Sequence, residues 1–285
     1  MDLYSETIAL CEKNDIKPSR SKGQNFLVEE SVYDEIVEWA NIKAADLVIE
    51  VGPGLGFLTR RLSEKASTVI AIELDDKLAS MLHSNLAIED VVNVDLVNED
   101  VLDFLPRFLN SNDARIKKNN GRIKIVANLP YNITSIFLRK ILEINKVDDL
   151  VLMLQKEVAE RIVASAGEMS MLAFSVQFFA EAEILRTVPS QMFWPAPEVD
   201  SAVIRIKRRA ELPTINRKKF FALAKHGFAA KRKMLKNNLA NALRLEQSEV
   251  SRILQKIGLS EKVRAQELSM IKWRELFAEM EVFMS

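Results

Sequence analysis

Asn128-Leu129-Pro130-Tyr131 follows a strand-like run from Arg122 to Ala127. It supplies a side-chain carbonyl, backbone carbonyls held still by a proline, and an aromatic face. Those are the parts needed to grip a planar ring that carries an exocyclic amine. The Asn128 side chain and the Leu129 carbonyl can accept hydrogen bonds from the amino hydrogens. Pro130 fixes its own φ, and Tyr131 can stack on the ring. Asn and Pro also favour turns for purely local reasons, so these four residues need company before they imply chemistry.

A second constellation supplies it. Glu50-Val-Gly52-Pro-Gly54-Leu-Gly56 follows one apolar run and opens a helical one. Its glycines allow a sharp turn and a close ligand approach. Glu73 ends the next apolar run, where a carboxylate can bind both ribose hydroxyls. This pairing suits a nicotinamide cofactor or S-adenosylmethionine. The glycines alternate around Pro53 and so depart from G-x-G-x-x-G, and Pro53 has no N–H to offer a pyrophosphate. That favours a ligand without phosphates. Asp100, in Asn98-Glu-Asp-Val101, can accept from an adenine amine or cap a helix. Glu50 can orient the glycine loop or meet a cationic ligand.

These residues need a sheet to hold them. The spacing predicts strands at 46–51, 68–73, 92–97, 123–127 and 149–154, with helices at 31–40, 55–65 and 77–87 between them. Repeated strand–helix units imply an α/β fold with a mostly parallel sheet. Such sheets bind ligands at the carboxyl ends of their strands, near a switch in strand order. A polar loop spans 110–121. Helix-like runs at 156–166 and 171–180 precede a closing pair of strands at 182–188 and 202–207. Beyond Pro213 only helical spacing remains, at 217–228, 231–243, 248–257 and 270–283. The expected division is a first domain over residues 1–210, with an N-terminal helical extension, and a basic helical domain over 211–285.

The formal charge of zero hides an asymmetry. From Arg205 to Ser285 there are 19 Lys and Arg against 8 Asp and Glu, a net of +11, which leaves −11 on residues 1–204. A basic tail on an acidic body points to a polyanionic partner. The single cysteine, Cys11, sits in an apolar run and is expected to be a buried thiol, which excludes an internal disulfide or a cysteine-based metal site. No signal-peptide pattern and no membrane-length apolar run occurs. A cytoplasmic location and no membrane association are therefore expected. His83 and His226 read as incidental.

In order along the chain stand Gln24-Asn-Phe-Leu27, Glu50-Val-Gly-Pro-Gly-Leu-Gly56, Glu73-Leu-Asp75, Asn128-Leu-Pro-Tyr-Asn-Ile-Thr134, Leu154-Gln-Lys-Glu-Val158, Phe193-Trp-Pro-Ala-Pro-Glu-Val-Asp-Ser201 and Arg264-Ala-Gln-Glu-Leu-Ser269. Together they closely resemble the small-subunit (16S-type) ribosomal RNA adenine dimethyltransferase family, over about residues 18–280. The resemblance implies a Rossmann-like class I methyltransferase sheet with an antiparallel last strand, followed by a small all-α domain. It implies S-adenosylmethionine as methyl donor, no metal, and contacts to that donor from Gln24, Asn25, Leu27, Gly52, Gly54, Glu73, Asp100 and Asn128. Asn128, Leu129, Pro130, Tyr131 and Phe193 would hold the target adenine, with the two aromatic rings on opposite faces.

The implied reaction is dimethylation of the exocyclic amines of two adjacent adenosines in the 3′-terminal hairpin loop of 16S rRNA, within the small ribosomal subunit or its precursor. Lys231, Arg232, Lys233 and Lys236 are the expected RNA contacts, and a monomer is the simple expectation. Two departures from the family stand out. Lys231-Arg-Lys replaces a more arginine-rich segment, and the 165–171 loop is shorter than usual and lacks an arginine. A resistance-type 23S rRNA adenine methyltransferase shares Gln-Asn-Phe-Leu and Asn-(Leu/Ile)-Pro-Tyr and is the nearest alternative. A non-catalytic RNA-binding assembly factor and a nicotinamide oxidoreductase are the readings from other classes.

Overall fold

The computed structural model describes residues 2–19, 24–117, 119 and 121–284. Residues 20–23 of the loop from Pro18 to Asn25, and residues 118 and 120 of the polar loop, lie outside that description. The first half of the chain alternates short strands and helices: α1 (Leu3–Lys13), β1 (Phe26–Leu27), α2 (Glu30–Ala40), β2 (Leu47–Val51), α3 (Phe57–Ser63), β3 (Thr68–Ile72), α4 (Asp76–Ile88), β4 (Val94–Val97), α5 (Val101–Asn110), α6 (Ala114–Lys117), β5 (Ile123–Asn128), α7 (Thr134–Glu143) and β6 (Asp149–Gln155). Then come α8 (Lys156–Val163), α9 (Met171–Phe179), β7 (Ala180–Val188), β8 (Phe193–Trp194) and β9 (Ser201–Arg208). Helices α10 (Arg217–Gly227), α11 (Leu235–Leu243), α12 (Gln247–Lys256) and α13 (Met270–Met280) complete the chain.

Seven strands form one sheet in the order β4-β3-β2-β5-β6-β9-β7. β2 lies parallel between β3 and β5, with Val51 opposite both Ile72 and Ala127. β9 runs antiparallel to β6, as expected of the last strand. β2 is buried along its whole length, as a strand covered on both faces must be. Strand order reverses at β2, whose chain-order successor β3 lies on one side and β5 on the other. The carboxyl ends of β2 and β5 therefore open a crevice at the switch point. A separate antiparallel pair joins β1 to β8, with Leu27 opposite Phe193. It brings together two motifs 166 residues apart.

Two lysines complete backbone ends that the chain leaves open. Buried Lys124 donates to the carbonyls of Ala40 and Asn41 at 2.6 and 2.7 Å, capping the end of α2, and lies 3.5 Å from Asp46. Helix α5 was not foreseen because Pro106 stands inside it. A proline there cannot donate to the carbonyl four residues earlier, which is Leu102. Lys140 of α7 donates to that carbonyl instead, at 3.0 Å.

The chain divides into two compact units, residues 1–159 with 182–208, and residues 160–181 with 209–285. The end of the first unit lies close to the expected boundary at 210, but 160–181 was expected within the first domain. The reason is aromatic packing inside the second unit. Phe174 of α9 lies 4.9 Å from Phe220 and 5.6 Å from Trp273, and Phe178 lies 5.5 Å from Phe220. These rings share one core. The short 165–171 loop is also fixed within this unit, because the amides of Gly167 and Met169 both donate to the Gln266 carbonyl, at 2.8 and 3.1 Å.

The expected helix over 231–243 begins only at Leu235. The Asn238 side-chain amide donates to the carbonyls of Gly227 and Ala230 at 2.7 and 3.1 Å, which holds the preceding segment as a turn. Among the described residues, no helix is long and apolar enough to cross a membrane.

Candidate active site

The crevice at the switch point is a cleft of about 340 Å³, within the usual range for small-molecule sites. Of the expected cofactor residues, Gln24, Asn25, Leu27, Gly52, Gly54, Glu73, Asp100 and Asn128 all line it, as does Pro130. The loop leaving β2 runs tight against the loop leaving β5. Gly52 has φ +68°, and a Cβ there would sit 3.6 Å from the Asn128 carbonyl oxygen and 3.7 Å from Pro130 Cδ. The positive φ makes glycine the unstrained choice.

The cleft is acidic. Glu50, Glu73, Asp75, Glu99 and Asp100 line it, and no Lys or Arg is among the described lining residues. Such a surface repels phosphates and attracts a cation. Glu73 Oε2 accepts from the Gly54 amide at 3.1 Å and Oε1 from the Asp75 amide at 2.9 Å. Burial raises its pKa, and those two amides oppose the shift. Glu50 is fully buried, and its Oε2 has no hydrogen-bond partner among the described residues. Burial pushes this carboxyl up to about 8, with the Thr59 hydroxyl opposing and the Glu73 charge adding. An unpartnered buried carboxyl turned toward a cleft is costly unless a ligand meets it.

The remaining polar groups position the rim. Asp75 Oδ1 caps α4 through the amides of Lys77 and Leu78, and Oδ2 accepts from Gln24 Nε2 at 3.3 Å. Gln24 Oε1 accepts from the Ser19 amide at 2.9 Å. Asn98 Nδ2 donates to the Glu73 carbonyl at 2.9 Å. Asp100 caps α5, with Oδ1 accepting from the Leu102 amide at 2.7 Å, and the residue also lines the cleft. Asp75, Asn98 and the exposed Leu74 had no role in the sequence reading. Only the position of Leu74 and Asp75, just after Glu73, could have pointed to them.

At the mouth, the Leu129 side chain is buried, and its amide donates to the Met153 carbonyl at 3.1 Å, which extends the β5–β6 ladder by one step. The turn is closed by the Ile133 amide donating to the Pro130 carbonyl at 3.2 Å and the Thr134 hydroxyl donating to the Tyr131 carbonyl at 3.3 Å. Tyr131 is half-buried, and its hydroxyl pairs with that of Ser201 at 2.8 Å.

Two expectations change. Phe193, expected to offer a second face to the base, is only 4% exposed and belongs to the core around Leu27 and Tyr33. Its backbone pairs with that of Leu27, and Tyr131, between the lining residues Pro130 and Asn132, is the more exposed of the two rings. Lys236, expected to meet RNA, is 14% exposed and ion-paired to Glu261 at 3.0 Å. Lys231, Arg232 and Lys233 are exposed. Cys11 is buried, as expected.

The Ribosomal RNA adenine dimethylase family model matches residues 16–280. The ribosomal RNA small subunit methyltransferase A of Dehalococcoides mccartyi (strain 195) is 38% identical over 277 residues, covering 96% of this chain and 92% of that protein. A crystal structure of a dimethyladenosine transferase from Plasmodium falciparum matches with a TM-score of 0.75 at 24% identity, covering 90% of this chain and 98% of that one. The 23S rRNA methyltransferase ErmE matches with a TM-score of 0.69 at 26% identity, covering 90% and 100%.

Proposed function

The chain belongs to the ribosomal RNA adenine dimethylase family, and from that premise we propose where it acts and which residues do the work. It is an S-adenosylmethionine-dependent rRNA adenine dimethyltransferase. The proposed targets are two adjacent adenosines in the 3′-terminal hairpin loop of 16S rRNA, in the small subunit or its precursor. The 38% identity to a small-subunit enzyme across nearly the full length of both chains favours this over a 23S target. The observation that carries the reading of the cleft is its lining of five acidic side chains and, among the described residues, no Lys or Arg. That suits a ligand carrying a sulfonium and an ammonium, and opposes a dinucleotide.

Bound S-adenosylmethionine supplies an intrinsically activated methyl group. The chain's own task is orientation. Glu73, held by the Gly54 and Asp75 amides, would accept from the ribose hydroxyls of the donor, and Asp100 would accept from its adenine amine. The Asn128 side chain and the Leu129 carbonyl accept from the target amine, so that its lone pair is presented and the nitrogen can pyramidalise. Tyr131 replaces part of the stacking that the adenine loses on leaving its helix, on the order of 1–3 kcal/mol. No covalent nucleophile is needed, and the methylated ammonium is acidic enough to lose its proton to water. Exposed Lys231, Arg232 and Lys233 of the second unit meet rRNA phosphates, and the enzyme acts as a monomer.

The test is methyl transfer from labelled S-adenosylmethionine to unmethylated small subunits, naked large-subunit RNA and fully methylated small subunits. Label in two adjacent adenosines of the first substrate alone supports the reading. Label only in large-subunit RNA overturns the choice of target. Asn128→Ala should abolish turnover with a modest loss of cofactor affinity, and near wild-type dimethylation by that variant would refute the amine clamp.

A further inference from the structure

Ser201 is the first residue of β9, opposite Gln155 of β6, and is fully buried. Among the described residues, its hydroxyl has one partner, the Tyr131 hydroxyl at 2.8 Å. A buried serine hydroxyl at the start of an inner strand is costly unless it is satisfied. Here the partner is Tyr131, whose chain neighbours Pro130 and Asn132 both line the cleft. The bond also closes a loop in the first unit, joining the turn after β5 to the start of β9, 70 residues away.

We propose that Ser201 is a positioning residue for methyl transfer, fixing the plane of the Tyr131 ring against which the extruded adenine stacks. This rests on the reading of Tyr131 as the stacking residue. A tyrosine ring turns about two side-chain torsions, and stacking depends on where its face points. The turn holds the Tyr131 backbone through its carbonyl, and the hydroxyl bond holds the opposite end of the side chain. With both ends tied, the face is set before RNA arrives. The phenol hydroxyl adds little to stacking, because phenylalanine presents the same kind of face. Loss of activity on removing the hydroxyl alone therefore reports orientation and not stacking area.

The experiment uses the full-length enzyme with two rRNA substrates: the unmodified RNA for turnover, and RNA with 2-aminopurine at one target position, which lacks the 6-amine and cannot be methylated there, and whose fluorescence rises when the base leaves its neighbours and is quenched where it stacks on the Tyr131 ring. Variants are Tyr131→Phe, Ser201→Ala, the double variant and Tyr131→Ala, with kcat, KM for RNA and cofactor affinity measured alongside. Tyr131→Phe and Ser201→Ala are each expected to lower kcat/KM about tenfold, to weaken the quenching, and to leave cofactor affinity unchanged. The double variant should be no worse than either single one, because both remove the same bond.

If Tyr131→Ala abolishes quenching and turnover while Tyr131→Phe matches wild type, the inference about Ser201 is wrong and the stacking role survives. If Tyr131→Ala changes neither, the stacking role fails and the inference with it. A parallel loss of melting temperature and cofactor affinity in Tyr131→Phe would make the bond a fold contact only and overturn the proposal. Should Ser201→Ala fail to fold, Tyr131→Phe decides alone.

Discussion

Replacing Glu50 by Gln should change the pH dependence of stability in a way few buried substitutions do. The carboxyl is fully buried, Oε2 has no partner among the described residues, and its pKa rises from 4.5 to about 8. A raised carboxyl favours the protonated form in the folded protein. Its contribution to stability is fully present below about pH 4.5 and is lost as pH rises through about 8. Each pH unit in that window costs about 1.4 kcal/mol, so the ligand-free enzyme loses roughly 5 kcal/mol across it, about 3 of them by pH 7. Gln cannot ionise. Urea unfolding of both proteins at pH 4.5, 7 and 8.5, without cofactor, should show the stability difference moving in favour of Glu50→Gln by several kcal/mol. The same substitution should weaken cofactor binding more at pH 8.5 than at pH 6, where the wild-type carboxyl is itself neutral. Unfolding free energies that run parallel with pH in the two proteins would show that Glu50 is not held as a protonated acid and would refute the reasoning from its burial.

Other expectations concern the lysines. Lys124→Met strands two helix-terminal carbonyls and removes the cation 3.5 Å from buried Asp46, and urea unfolding should show a loss of about 3–5 kcal/mol. Lys140→Met should cost about 1 kcal/mol by leaving the Leu102 carbonyl without a donor, and adding Pro106→Ala, which restores the missing N–H, should recover most of it in a double-mutant cycle. Lys231→Ala and Arg232→Ala should each weaken RNA binding and reduce the slope of log affinity against log salt by about 1. Lys236→Ala, already paired to Glu261, should lower the melting temperature and leave that slope nearly unchanged.

What the sequence made legible follows from the range of the forces involved. Strands β2, β3, β5 and β6 were readable because a buried parallel strand is apolar on both faces and shows as a continuous run. The cleft residues were readable because glycine turns and strand-end carboxylates act on their near neighbours. β1 and β8 were not, since two residues carry no periodicity and they exist only by pairing with each other. α5 was hidden by Pro106, whose missing bond is replaced from a helix 38 residues on. Phe178 and Phe179 pack on Phe220 and Phe221, more than forty residues on, which local spacing cannot show. Lys236 looked free because Glu261 stands 25 residues away. The Phe193 motif was recognisable, but its burial depends on the β1 strand it pairs with.

The membership of 160–181 in the second unit bears on how this chain can be cut or exchanged. The backbone passes between the units three times, so no single junction separates a sheet domain from a basic helical one. Truncation near residue 209 leaves Phe174 and Phe178 without Phe220 and Trp273, an exposed apolar helix face prone to aggregation. During synthesis the same two rings wait more than forty residues for Phe220, and Phe174 about a hundred for Trp273. A chimaera that trades RNA-contacting units between relatives therefore needs two exchanged segments that match each other, and recombination at one point should yield misfolded protein where a simple tail domain would have tolerated it.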